Sequence, residues 1–119
     1  MTKPRYDSFS TEFGLWLREQ SSLDSSLGYV ATNLDYIWYN YKTGEWMLIE
    51  EKRHKGEIKL YQRQIFGRID KLCQADSSYK GFHQITFENT SPENGQIWID
   101  GNLVSKTELL DFLRFKSAG

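Results

Sequence analysis

The stretch NLDYIWYNYKTGEWMLIEEK, residues 33–52, decides the reading of this chain. It holds two runs of aromatic and branched side chains around Thr43-Gly44, the pattern of two strands joined by a tight turn. Successive side chains of a strand point to opposite faces. Trp46, Leu48, Glu50 and Lys52 therefore share one face, and Met47, Ile49 and Glu51 the other. By the same rule Asp35, Ile37 and Tyr39 share a face of the incoming strand. With Thr43 and Gly44 as a two-residue turn, Lys42 pairs with Glu45, and counting outward sets Asp35 opposite Lys52 and diagonal to Glu50. A three-residue loop over Lys42, Thr43 and Gly44 shifts this pairing by one, which a bulge can restore. Met47, Leu48 and Ile49 form an apolar run that leads straight into Glu50, as in a buried central strand.

Two carboxylates and an ammonium gathered at the end of such a strand suit a particular chemistry. A hard divalent cation, Mg2+ or Mn2+, takes only one or two protein carboxylates and leaves its other positions to water and substrate phosphate. Such an ion polarises a phosphoryl oxygen and generates a nucleophilic hydroxide. Lys52 would hold the attacking water and face the developing charge. Taken alone, E-x-K is commonly a solvated strand tip, and a cross-strand Asp–Lys pair a surface ion pair. The apolar run before Glu50 sets this instance apart.

These residues resemble the PD-(D/E)XK nucleases, the restriction-endonuclease-like superfamily, whose signature is an acid on one strand, (D/E)-x-K on the next, and then a helix. The resemblance makes Asp35 the first acid and Glu50 with Lys52 the E-x-K. Glu51 becomes the middle residue, whose backbone carbonyl often joins the metal. The proline of the signature is absent, and Leu34 stands in its place. The segment TEFGLWLREQ is similar to the first helix of the small Holliday-junction-resolvase branch, which implies Glu12 as an additional metal-site acid, with Glu19 in reserve. Residues 59–64, KLYQRQ, resemble the helix start of the virus-type replication-repair branch, which implies a glutamine near the active site. Gln62 matches better than Gln64, because Gln62, Ile65, Ile69 and Leu72 fall on one helical face. The likeness covers roughly residues 9–88.

The remaining sequence reads as one domain over residues 1–119. Its hydrophobic content of 39% suits a single ordinary core, and it has no Pro/Ser/Gly-rich linker. No apolar run approaches the roughly 20 residues that span a bilayer, and the leader MTKPRYDSFS lacks a signal-peptide core, so a cytoplasmic protein is expected. Cys73 is the single cysteine. It reads as a buried structural thiol on the apolar face of a helix. Ser10 is the expected N-cap of a helix over residues 11–20. Strands are expected over residues 27–32, 34–41 and 45–52, a long helix over 57–75, strands over 82–87 and 96–100, and a final helix over 105–115. Ser105 and Glu108 are spaced as a capping box in that last helix. The order α-β-β-β-α-β-β-α predicts an α/β sandwich with a central mixed sheet flanked by helices.

Net charge is −1, which does not by itself mark a nucleic-acid binder. Its distribution is more telling. Between positions 52 and 71 the cations Lys52, Arg53, Lys55, Lys59, Arg63, Arg68 and Lys71 meet only Glu57 and Asp70. Arg53, Lys55, Lys59 and Arg63 are the candidate DNA contacts, against the bland reading of a solvated helix face. His54 is either a phosphate contact or a solvated loop residue, and His83 reads as a plain strand residue. Tyr36, Trp38, Tyr39 and Trp46 read as core and cross-strand pairs rather than base-stacking platforms. Trp98 belongs to the core or to a dimer interface. The expectation is a Mg2+- or Mn2+-dependent DNA endonuclease with Asp35, Glu50, Lys52 and Gln62 as its catalytic set, acting as a homodimer or higher homo-oligomer. The rivals are a non-catalytic nucleic-acid-binding module of the same fold and a structural or protein-interaction domain.

Overall fold

β2 (Trp46–Lys52) is the spine of the sheet. Met47, Leu48, Ile49 and Glu50 are all buried in it, as the apolar run predicts. The computed structural model describes residues 11–116. The leader 1–9 and the expected cap Ser10 lie outside them. The chain divides into two compact units, Met1–Asn33 and Leu34–Gly119. Across both, the described residues form an α/β fold with three α-helices and one five-stranded mixed sheet. No helix among them is long and apolar enough to cross a membrane.

The first unit contains α1 (Glu12–Glu19), capped by Thr11, whose hydroxyl accepts from the Gly14 N–H at 3.1 Å. The strand expected over residues 27–32 does not form. Asp24 accepts from the Ser26 backbone and hydroxyl, which starts a short 3-10 turn over Ser25–Leu27. Such local side-chain bonds offer the backbone an alternative to a ladder.

In the second unit the strands follow the order β1-β2-β3-β4-β5. β1 (Tyr36–Tyr39) pairs antiparallel with β2, and β2 runs parallel to β3 (Tyr79–Phe87). β4 (Ile97–Ile99) and β5 (Asn102–Val104) continue antiparallel. α2 (Leu60–Cys73) is the crossover that the parallel pair requires. α3 (Lys106–Leu113) closes the unit, with Ser105 and Glu108 forming the expected capping box. The helix–strand order is thus α-β-β-α-β-β-β-α. The sequence reading placed one strand too many before α2 and missed β5. Asp100-Gly101 makes a two-residue turn with both φ angles positive, 50° and 84°, which Asp-Gly adopts readily.

Each face of this sheet carries a helix. α3 covers the side of Met47, Ile49, Ile85, Phe87 and Ile97, where Leu109 completes the core and Phe112 and Leu113 pack against it. α2 lies on the other side. Its Phe66 ring packs 5.1 Å from Phe82, and Asp70 accepts from the Tyr79 hydroxyl at 2.7 Å and the Phe82 N–H at 3.1 Å. The buried stripe of α2 is centred on Phe66, while Ile65 and Leu72 are exposed. The expected face of 62, 65, 69 and 72 is therefore rotated toward Phe66. Cys73 is half-buried and free, not fully enclosed.

β1 is the edge of the sheet. Tyr36, Trp38 and Tyr39, expected in the core, are exposed, and Trp46 is half-buried beside Tyr79. An edge strand has a neighbour on one side only, so its side chains gain less cover than sequence hydrophobicity suggests. Trp98 is likewise half-buried.

Candidate active site

The β1–β2 turn sets which residues meet. Asn40 N–H donates to the Glu45 carbonyl at 2.9 Å, and Asn40 Oδ1 accepts from the Lys42 and Thr43 N–H groups. Residues 41–44 thus form the loop, in place of the expected Thr43-Gly44 pair. Tyr36 faces Ile49 and Ile37 faces Leu48. The longer loop moves the register by two residues, so Asp35 falls level with Glu50 rather than Lys52. A shift of two preserves parity and sets Asp35, one residue before β1, level with Glu50.

Asp35 and Glu50 are interlocked by the backbone. Asp35 N–H donates to Glu50 Oε1 at 3.3 Å, and Glu51 N–H donates to Asp35 Oδ2 at 2.8 Å. Lys52 Nζ lies 3.4 Å from Glu50 Oε2 and donates to Gln62 Oε1, also at 3.4 Å. The same amide oxygen accepts the Lys59 N–H at the start of α2. One side chain of α2 therefore ties the helix N-terminus to the lysine of β2. Gln62 is the glutamine brought to the site, while Gln64 is exposed.

Glu50 is 3% exposed. Burial raises its pKa above the ordinary carboxylate value, the nearby Asp35 charge adds to this, and Lys52 offsets it only in part. A buried acid near a second acid, with one ammonium beside it, sits in a surplus of negative charge when ionised. Among the described residues no three His, Cys, Asp or Glu side chains converge. The carboxylates that could hold a cation here are those of Asp35 and Glu50, and one or two carboxylates are what Mg2+ usually takes from a protein.

Glu51 occupies the opposite face, as strand parity requires. Its carboxylate accepts from the Tyr36 hydroxyl at 3.1 Å and from Arg53 Nε at 2.8 Å. The Glu51 charge, and next its hydrogen bond, hold the Tyr36 phenol above its ordinary pKa. A small pocket is lined by Asp35, Tyr36, Glu51 and Arg53. The sequence reading gave Tyr36 core and cross-strand contacts without naming Glu51 as its partner, although strand parity puts the two on one face.

Of the expected DNA contacts, Arg53 folds back onto Glu51. Lys55 stands in the loop after β2, while Lys59 and Arg63 flank Gln62 at the start of α2; all three are exposed. Asp70 is drawn into the fold by Tyr79 and Phe82, which removes one of the two acids counted against this basic band. Glu12 opens α1 and Glu19 ends it, both in the first unit.

Beyond Lys52 the backbone turns sharply. His54 and Lys55 both adopt left-handed conformations, φ 54° and 60°, at a cost of roughly 1–2 kcal/mol each for residues bearing a Cβ. His54 N–H donates to the Asn89 carbonyl, Lys55 N–H to that of Phe87, and Gly56 N–H to that of Arg53. A Cβ at position 56 would lie 3.1 Å from the Arg53 carbonyl oxygen, a tight approach that glycine avoids.

Comparison of the chain with protein-family models, with curated proteins and with solved structures finds no match in any of the three.

Proposed function

We propose that this chain is a metal-dependent DNA endonuclease of the PD-(D/E)XK type, a cytoplasmic phosphodiesterase built on a restriction-endonuclease-like variant of its α/β sheet. The observation that supports the reading is the linkage of Asp35, Glu50 and Lys52 at the ends of adjacent strands, with the Asp35 N–H on the Glu50 carboxylate, that carboxylate beside Lys52, and Gln62 reaching Lys52 from the next helix. An acid, an E-x-K strand and a following helix are the parts the resemblance calls for.

Asp35 and Glu50 would hold Mg2+ or Mn2+, with the Glu51 carbonyl as the third protein group implied by the resemblance. When bound, the cation supplies Lewis acidity toward a phosphoryl oxygen and acidifies a water. The remaining work falls to the protein. Lys52 holds the attacking water and offers a fixed positive charge to the phosphoryl oxygens as charge builds on them. Gln62 keeps that ammonium aimed, and burial of Glu50 keeps the site partly dry, where such charges act more strongly. Lys55, Lys59 and Arg63 draw the phosphate backbone to this edge. Cutting both strands of a duplex or branched DNA is simplest for a two-fold homodimer.

The test is incubation of the purified chain with supercoiled, linear, single-stranded and four-way-junction DNA in Mg2+, Mn2+ or EDTA. Cutting that requires the divalent ion supports the reading. Binding without cutting under any ion leaves a nucleic-acid-binding module, and neither binding nor cutting removes DNA as the substrate.

A further inference from the structure

We propose that the left-handed turn at His54 and Lys55 is a phosphate grip, which holds the nucleic-acid backbone beside the scissile position. The inference rests on the reading of the chain as a DNA-acting protein and assigns part of its substrate contact to a defined loop. Two consecutive residues with side chains sit where glycine would be unstrained. Strain of this kind persists when surrounding structure enforces it, and it gathers at functional sites.

Here the enforcement is visible in the bonds from His54 and Lys55 to the carbonyls of Asn89 and Phe87. Those bonds fix the turn to the end of β3. The turn begins directly after Lys52 and Arg53, so its position relative to the site is set by β2 itself. Arg53 is committed to Glu51. The side chains of His54 and Lys55, by contrast, are exposed and have no hydrogen-bond or ion-pair partner among the described residues. An imidazole N–H and an ammonium on a rigid, backbone-anchored turn suit the non-bridging oxygens of a phosphodiester. A flexible glycine loop would supply neither donor, which accounts for the strain being kept.

Two variants test this with a fluorescent DNA duplex of about 20 base pairs in EDTA, titrated from about 50 to 200 mM salt. The double variant His54→Gly/Lys55→Gly relieves the strain. Part of that gain returns as unfolded-state entropy, so the expected rise in melting temperature is only about 2–5 °C. Its affinity should fall about tenfold, and the slope of log K against log salt should shrink by about one. Lys55→Gln keeps the strained backbone, so its melting temperature should stay within about one degree of wild type while the slope shrinks by the same amount. Variants that bind with unchanged affinity and slope overturn the grip, and a double variant that melts lower overturns the strain argument beneath it. Wild-type protein that binds duplex but never cuts it in Mg2+ defeats the endonuclease reading while the same titration still decides the turn. Wild-type protein with no affinity at low salt defeats both.

Discussion

Changing Glu50 to glutamine keeps the shape of the side chain and removes its charge, and the fold should become more stable while losing its response to metal. The carboxylate is nearly enclosed, faces Asp35, and is met by one ammonium at 3.4 Å. Burial, then the Asp35 charge, hold its pKa above the unfolded value. The folded chain therefore binds that proton more tightly than the unfolded one. Stability falls as pH rises from the unfolded toward the folded pKa, and above both the cost of a buried charge is paid in full. Glutamine escapes that cost at pH 7 but leaves Lys52 without its partner, so the net gain should be small, about 1 kcal/mol, or roughly 4 °C in melting temperature. Magnesium acts in the opposite direction. At ten times a dissociation constant on the order of 1 mM, it should stabilise wild type by about 1.4 kcal/mol and leave the variant unmoved. Thermal melts at pH 7 in EDTA and in Mg2+ measure both effects. A variant that melts lower in EDTA, or one that Mg2+ stabilises as much as wild type, would refute the reasoning.

His83 Nδ1 lies 2.7 Å from Asp100, and its Nε2 lies 2.7 Å from the Lys80 carbonyl. Burial lowers the pKa of this ring, but its bonds to Asp100 and Lys80 and the charges of Asp100 and Asp70 together leave it raised. Its stabilisation should be complete below the unfolded value and should fade as pH rises through the folded one; melts across pH 5–9 should show this slope, and Asp100→Asn should flatten it. Met47 is 1% exposed in the core, so Met47→Ala should cost about 2–4 kcal/mol in urea unfolding at unchanged m-value. Gln62→Ala should lower kcat about tenfold with little change in DNA affinity, because it removes one of the two groups that hold Lys52 and leaves the exposed cations in place; equal loss of kcat and affinity would place Gln62 on the DNA instead.

Much of the site was legible because strand parity is robust. The loop after Asn40 proved longer than expected, but a slip of two residues keeps parity, so Asp35 still lies beside Glu50, and Glu50 beside Lys52, despite the wrong register. Their neighbours were harder to read. Parity tells which side Glu51 takes, and only the folded structure shows that Tyr36 and Arg53 hold it there. Asn40 explains the loop error, since its side chain caps two backbone N–H groups and competes with the short turn that Thr43-Gly44 suggests. Residues 27–32 have the composition of a strand, yet composition carries no information about Asp24 turning the chain just before them. Phe66 was missed for a related reason: stripes at 65 and 72 and at 66 and 69 are both apolar, and the choice is made by Phe82 across the interface. The exposure of β1 reflects its place at the sheet edge, which depends on topology and not on local pattern.

The most direct measurement is Mg2+-dependent cleavage of supercoiled plasmid by wild type, Asp35→Asn and Lys52→Ala, with duplex affinity measured alongside. If Asp35, Glu50 and Lys52 form one catalytic centre, each variant should lose at least a hundredfold in cleavage rate, in the range expected for removing a positioned catalytic group, and keep its affinity within about threefold. Cleavage that survives both substitutions would contradict the account.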